Sequence, residues 1–169
     1  FNIDINANLF YSPSIDNIIE VFAEKFDILN SIDIEFYYDS SLINITNFSI
    51  YETELASFDY DIEFSELIED GIFKGKKMSL FFNPHLNSSE AFIPNGKVNI
   101  FNIVIEILDI NSNSNSKIYA KNIRLNELIV SDVDWDILIE VPKGCTDNGN
   151  IDPDKWALIY DPGHPENYP

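Results

Sequence analysis

Basic residues are almost missing from the first 73 positions of this 169-residue chain, where Lys25 is the single base among sixteen acids. That segment carries a net charge of −15, whereas residues 74–169, with thirteen acids and nine bases, carry only −4. A field of this sign repels phosphate backbones and attracts basic surfaces. The charge distribution therefore argues against direct nucleic-acid binding and predicts a basic protein partner.

Cysteine, alanine and long apolar runs are also scarce. A lone cysteine, Cys145, excludes an intrachain disulfide and predicts a reducing, cytoplasmic location. No apolar run reaches the roughly 18 residues that a membrane-spanning helix needs, so no membrane association is predicted.

The chain has six Ala but 27 Ile and 20 Asn, a composition that favours strands and turns over helices. The hydrophobic content of 45% is too high for a disordered acidic tail, and with no repeat or linker we expect a single domain over residues 1–169.

Catalytic motifs are missing as well. His85 and His164 both lie beside prolines in loop-like stretches, and only Lys143 lies near Cys145 to activate its thiol. There is no glycine-rich segment of the kind that holds phosphates. These absences predict that the chain is not an enzyme and has no cofactor.

Two acidic segments invite a metal-site interpretation. The first is an alternating stripe, Asp132, Asp134, Asp136 and Glu140, which a divalent cation or a nuclease centre would use. Lys143 has the wrong spacing to share that strand face, so the stripe is interpreted as solvent-facing. The second, residues 147–154, lacks the ligand positions of an EF-hand and is interpreted as a surface turn. No metal site is predicted.

One long helix is predicted after Ser12-Pro13-Ser14, because apolar residues recur there at helical spacing. The apolar positions are Ile15, Ile18, Ile19, Phe22, Phe26 and Leu29. The opposite face of this helix would carry Asp16, Glu20, Glu24 and Asp27.

Strands dominate the rest of the chain. Residues 32–38, 58–64 and 132–141 alternate as half-buried strands do, and further strands are predicted at 42–51, 118–125 and 156–160. Residues 72–82 form a strand interrupted near Gly75, and 98–110 form a central strand paired on both edges. Residues 65–71 predict a short helical turn, and 111–116 a hairpin loop. The expected fold is α+β but β-dominated: a mostly antiparallel twisted sheet or sandwich of about 7–9 strands, with the N-terminal amphipathic helix packed on it.

Acidic stripes supply the candidate binding site. Asp59, Asp61 and Glu63 recur at every second residue, which spaces their carboxylates about 7 Å apart along one strand face, an arrangement similar to a row of phosphates. Tyr37 shares a strand face with two further acids and would anchor a partly apolar interface. The predicted partner-binding residues are Asp33, Glu35, Tyr37, Glu52, Glu54, Asp59, Asp61, Glu63, Glu66, Glu69 and Asp70. A solvated outer sheet face is the alternative interpretation.

The size, the lone cysteine, the missing catalytic motifs and the concentrated acidic surface resemble bacterial immunity proteins that neutralise nuclease toxins, including those of contact-dependent growth inhibition. The resemblance implies a cytoplasmic, non-catalytic inhibitor that binds and occludes the basic active-site cleft of a cognate nuclease toxin domain. Two alternatives remain open. One is a β-sandwich-like module that binds a carbohydrate or a cell-surface ligand, with or without calcium; the other is an enzyme of unrecognised type. The oligomeric state is left open.

Overall fold

The computed structural model describes residues 1–84 and 90–142, without the side chains of residues 68–70. Its elements are eleven strands and one turn of 3-10 helix, Glu54–Ser57; within the described residues there is no α-helix. The strands are Asn2–Ile5 (β1), Leu9–Tyr11 (β2), Ser14–Glu24 (β3), Ser31–Asp39 (β4), Ile43–Ser49 (β5), Tyr60–Asp70 (β6), Phe73–Phe82 (β7), Val98–Ile107 (β8), Ser114–Leu125 (β9), Leu128–Ile129 (β10) and Val133–Glu140 (β11).

The strands form a two-sheet β-sandwich. The small sheet has the order β1-β3-β8-β5, and the large sheet has the order β2-β11-β9-β4-β7-β6, with β10 paired to β9. All pairs are antiparallel except β2 with β11. The prediction of a β-dominated, sandwich-like fold is thus confirmed at that level, while the predicted helix is not found.

A shared hydrophobic core joins the two sheets. Phe36 of β4 is fully buried, and its ring centroid lies 5.2 Å from that of Phe48 and 6.2 Å from that of Phe101, both in the small sheet. Trp135 of β11 lies 6.3 Å away within the large sheet. Burying such large rings between two layers is what offsets the cost of ordering the chain.

The N-terminal helix prediction is wrong, because residues 14–24 form β3. Its buried residues alternate as Ile19, Val21 and Ala23, and they face the core. A register shift between Ser14 and Asn17, with the positive φ of Asp16, changes the phase at the start of the strand. Apolar Ile18 and Phe22 then occupy outward positions, so the apolar residues of both faces together fall at helix-like intervals. The stiff β-branched side chains of this segment suit an extended backbone.

Three smaller predictions are also wrong. Residues 65–70 continue β6, and Gly71, with φ of 65°, makes the turn into β7 in place of a helical turn. β7 runs without interruption through Gly75, which pairs with Tyr37 on one side and Leu67 on the other. Residues 111–116 do not form a hairpin loop, because β8 and β9 belong to different sheets.

Six of the other described strands agree with the predictions, whereas β1, β2 and β10 were not predicted. β4, β6 and β11 occur where alternation predicted them, and β5 and β9 overlap the strands predicted at 42–51 and 118–125. β8 pairs with β3 and β5 as a central strand should. The strand predicted at 156–160, the turn at 147–154, His85, His164, Lys143 and Cys145 all lie outside the described residues. Within 1–84 and 90–142, no helix has the length and apolar character that a membrane crossing requires.

Candidate partner-binding face

Strand alternation gives β4 a buried side and an outward side. Asp33, Glu35 and Tyr37 are half-buried and alternate with fully buried core residues, so they point away from the core. Asp61 and Glu63 occupy exposed positions on β6, and β7 lies between the two strands. The two carboxylate rows are therefore about 10 Å apart. These five predicted residues share one surface, formed by β6, β7, β4 and β9 and called the outer face below.

The remaining predicted residues do not join this face. Glu52 and Glu54 are exposed in the connection between β5 and β6, and Asp59 immediately precedes β6. Glu66 turns to the other side of β6, where its carboxylate makes a 2.8 Å ion pair with the buried Lys76. The side chains of Glu69 and Asp70 lie outside the described part of the chain.

Cations from residues 74–169 lie beside the acids of residues 1–73 on the outer face. Asp33 is paired in register with Arg124 of β9, and Glu35 with Lys77 of β7 and Lys121 of β9. The outer face therefore carries charges of both signs, because strands from residues 1–73 alternate there with strands from residues 74–169. These cations were missed because strand order is not visible in one sequence.

Other acids of the N-terminal segment lie on the opposite side of the sandwich. Glu20 and Glu24 point outward from β3 in the small sheet, where the side-chain amides of Asn6 and Asn2 donate to them at 2.5 and 2.9 Å. The Asn2 hydrogen bond is the main reason that the pKa of Glu24 is lowered. The acidic residues therefore form at least two separate surfaces.

Neutral donors hold the outer-face carboxylates in place. The Asn122 amide donates to Glu35 at 2.6 Å, the Tyr37 hydroxyl donates to the same carboxylate at 3.0 Å, and the Ser79 hydroxyl donates to Asp33. On β6, Asp61 accepts from Asn83 at 2.7 Å. Because these donors are uncharged, they orient the carboxylates without cancelling their charge.

The centre of the outer face is aromatic. Tyr37 and Tyr119 are partners across β4 and β9, and the Lys121 ammonium lies 5.7 and 5.5 Å from their ring centroids. The exposed ring of Phe73 packs edge-on to Tyr119 at 6.4 Å. Partial burial, followed by the hydrogen bond to Glu35, raises the pKa of Tyr37, which keeps its hydroxyl protonated.

Gly75 keeps this centre flat. A Cβ atom at Gly75 would lie 2.9 Å from Leu67 Cβ, which is too close, and 3.0 Å from Tyr37 Cε1, which would require the ring to shift slightly. The missing side chain therefore lets Leu67 and Tyr37 close over the β7 backbone. A larger residue here would displace the aromatic ring.

The stripe Asp132, Asp134, Asp136 and Glu140 shows no metal-site geometry. Lys117 of β9 forms ion pairs with Asp134 and, at 3.6 Å, with Asp136. The hydrogen bond to Asp134 is the main cause of the raised pKa of Lys117. In residues 1–84 and 90–142, no group of three or more Asp, Glu, His or Cys residues is arranged to hold a metal ion.

This arrangement is a two-sheet sandwich with a flat, aromatic and charged outer strand face. No family model matches the chain, and no curated protein sequence matches it significantly. The solved structures that share its fold include cohesin modules. A cohesin of scaffoldin B from Acetivibrio cellulolyticus, in complex with a dockerin, is 14% identical with a TM-score of 0.56, covering 84% of this chain and 99% of that one.

Two further cohesins give the same result. A type I cohesin from Clostridium thermocellum, solved in a cohesin–dockerin complex, is 18% identical with a TM-score of 0.54, covering 84% of this chain and 100% of that one. The cohesin module of a family 33 glycoside hydrolase from Clostridium perfringens is 8% identical with a TM-score of 0.56, covering 83% and 97%. At these identities the likeness is one of fold.

The predicted role as an acidic inhibitor of a nuclease toxin is therefore wrong, and so is the predicted nuclease partner. The chain has the fold of cohesin modules, which agrees with the alternative of a β-sandwich binding module. The interleaving of Lys77, Lys121 and Arg124 with the acids gives a physical reason, because a mixed face does not imitate a row of phosphates. Membership of the immunity class, drawn from size and charge, is a separate prediction that the cohesin likeness does not test.

Proposed function

We propose that this chain is a non-catalytic module that binds a protein partner through the outer face. The observation that carries the proposal is the cluster of Tyr37, Tyr119 and Phe73 on an outward strand face, surrounded by charges of both signs. Protein interfaces concentrate their binding energy in such aromatic anchors, which are surrounded by polar groups that exclude water. The cohesin fold supports the proposal, since several of the similar cohesins were solved with dockerins.

The charge pattern defines the partner that this face fits. Glu35 and Asp33 are fixed by hydrogen bonds before any partner arrives, so little side-chain entropy is lost on binding. Lys121 and Arg124 lie beside them and require acidic or carbonyl groups on the partner. We therefore expect a partner with an apolar centre and a rim of both signs, with dockerin modules as the first candidates. The cytoplasmic location inferred from the lone cysteine stays a prediction.

Replacing Tyr37 with alanine is expected to weaken partner binding about 30-fold, the effect of losing a central anchor of about 2 kcal/mol. The full chain is immobilised, and the affinity of purified dockerin modules and of affinity-isolated partners is measured by surface plasmon resonance. Tyr51→Ala is the matched control, because Tyr51 is 73% exposed in the connection after β5 and lies off the face.

The control variant is expected to bind within twofold of the parent chain. Thermal unfolding of each variant separates a loss of binding from a loss of fold. Equal affinities for Tyr37→Ala and the parent chain would contradict the proposed face.

A further inference from the structure

Among residues 1–84 and 90–142, one edge of β6, the last strand of the large sheet, has no neighbouring strand. The other edge pairs with β7, and within the same residues no backbone hydrogen bond reaches the outer edge of Asp61–Leu67. The register with β7 is continuous from Tyr60 to Leu67 and shifts only beyond it. In an antiparallel strand, every second residue directs its N–H and C=O away from its neighbour. This edge therefore offers about 24 Å of regular backbone to a further strand.

The other sheet edges are less suited to pairing. β1 and β2 have only four and three residues, and the ladder of β5 is broken by a register shift between Ile45 and Asn47. Proteins protect edge strands by shortness, bulges, prolines or lysines. β6 has eleven residues and none of Pro, Gly, Lys or Arg.

Acidic side chains on β6 disfavour edge-to-edge pairing with β6 of a second molecule. If two β6 edges paired in parallel and in register, Asp61 and Glu63 would approach the same carboxylates of the second copy, and like charges across a ladder destabilise it. The same carboxylates favour a basic strand. The edge is thus unfavourable for self-association, although its backbone has no partner among the described residues.

The two sides of β6 differ in chemistry. On the outer face, Asp61 and Glu63 are exposed carboxylates. On the other side, Ile62 is half-buried and Phe64 is 44% exposed, with its ring 5.6 Å from Phe48 and 5.5 Å from the Lys76 ammonium. An added strand would place alternate side chains against carboxylates and against apolar groups.

We propose that the free edge of β6 binds an extended partner segment in which basic and apolar residues alternate. Backbone hydrogen bonds to Asp61–Leu67 supply the affinity. Basic residues beside Asp61 and Glu63, and apolar residues beside Ile62 and Phe64, supply the specificity. This site goes beyond the proposed function, because it uses the backbone edge of β6 and not the aromatic centre of the outer face.

The first test uses an eight-residue peptide of alternating Lys and Val, labelled for fluorescence anisotropy. It is expected to bind and to slow amide hydrogen exchange in residues 61–67, whereas an alternating Glu and Val peptide does not bind. Two further Lys and Val peptides are N-methylated on alternate residues, one on the odd positions and the other on the even positions. At least one of them is expected to lose binding, because the methyl groups replace the backbone N–H donors that would pair with β6. If both N-methylated peptides bound as tightly as the unmethylated peptide, or if protection occurred elsewhere in the chain, the proposal would be overturned.

The second test uses variants of the full chain. Asp61→Lys with Glu63→Lys is expected to weaken binding of the Lys and Val peptide at least tenfold. Glu52→Lys with Glu54→Lys makes the same change in net charge on exposed acids outside β6, and it is expected to leave the affinity within twofold. Equal losses in both double variants would indicate general charge attraction and contradict the site.

Two more measurements test whether the β6 edge is distinct from the aromatic centre and free in the unbound chain. Tyr37→Ala is expected to leave peptide binding unchanged, so the two proposals fail independently. Light scattering is expected to show that the parent chain does not dimerise through β6. A dimer through this edge would be recognised because the double variant Asp61→Lys with Glu63→Lys dissociates it. Such a dimer, or slow exchange at 61–67 in the free chain, would show that the edge is already occupied and would overturn the assignment to a partner.

Discussion

Replacing Phe36 with alanine is expected to lower the free energy of unfolding by about 3–5 kcal/mol. Phe36 is fully buried, and its ring packs against Phe48, Phe101 and Trp135. The change therefore removes an aromatic side chain at the point where the two sheets meet, and rigid strands on both sides limit collapse of the cavity. Urea unfolding followed by circular dichroism measures the loss.

Phe73→Ala is the matched control for this prediction. Phe73 lies on β7 in the same sheet but is 42% exposed and points outward. The substitution Phe73→Ala is expected to lower the free energy of unfolding by less than about 1 kcal/mol, as surface substitutions do. If Phe36→Ala cost no more than Phe73→Ala, Phe36 would not join the two sheets.

Replacing Asn126 with alanine is expected to cost about 2–4 kcal/mol through two separate losses. Asn126 has a φ of 49°, a left-handed conformation that alanine adopts less readily. Its side-chain oxygen accepts from the backbone of Asn30 at 2.8 Å and of Ser31 at 3.0 Å, and its amide donates to the Ile28 carbonyl at 2.7 Å. This side chain ties the turn after β9 to the segment that enters β4.

Three variants separate the two losses. Asn126→Gly removes the strain but also the hydrogen bonds, and Asn126→Asp keeps the acceptor but loses the donor, so both are expected to fall between the parent chain and Asn126→Ala. Asn122→Ala is the matched control, with a φ of 50° and one side-chain hydrogen bond, to Glu35. Thermal and urea unfolding should rank Asn126→Ala as less stable than Asn122→Ala, and equal stabilities would contradict the role of the Asn126 side chain.

Regular alternation is what made strands predictable. β4 and β11 were predicted because core and surface residues alternate without error along them, so local sequence determined local structure. β3 was not predicted, because the register shift between Ser14 and Asn17 and the left-handed Asp16 change the phase of the pattern, and apolar Ile18 and Phe22 lie on its outward side. The interruption predicted at Gly75 was wrong because glycine often marks a turn, whereas here it makes room for Leu67 and Tyr37 within a strand.

The candidate site was predictable in part. Alternation placed Asp33, Glu35 and Tyr37 on one side of β4, and Asp61 and Glu63 on one side of β6. It did not indicate that β7 would bring Lys77 between the two strands, or that β9 would bring Lys121 and Arg124 to the other edge of β4, because sheet order is determined by contacts between distant parts of the chain. The acids of β4 therefore lie beside Lys77, Lys121 and Arg124 on the outer face, a mixture of charges that the sequence alone did not indicate.

A hydrogen-exchange footprint of the chain in complex with a purified partner tests the central claim most directly. The proposal predicts slower amide exchange on binding in β4, β7 and β9, which form the aromatic centre of the outer face, with β3 and β8 of the small sheet unchanged. Protection confined to the small sheet would contradict the claim that this protein recognises its partner through the outer face.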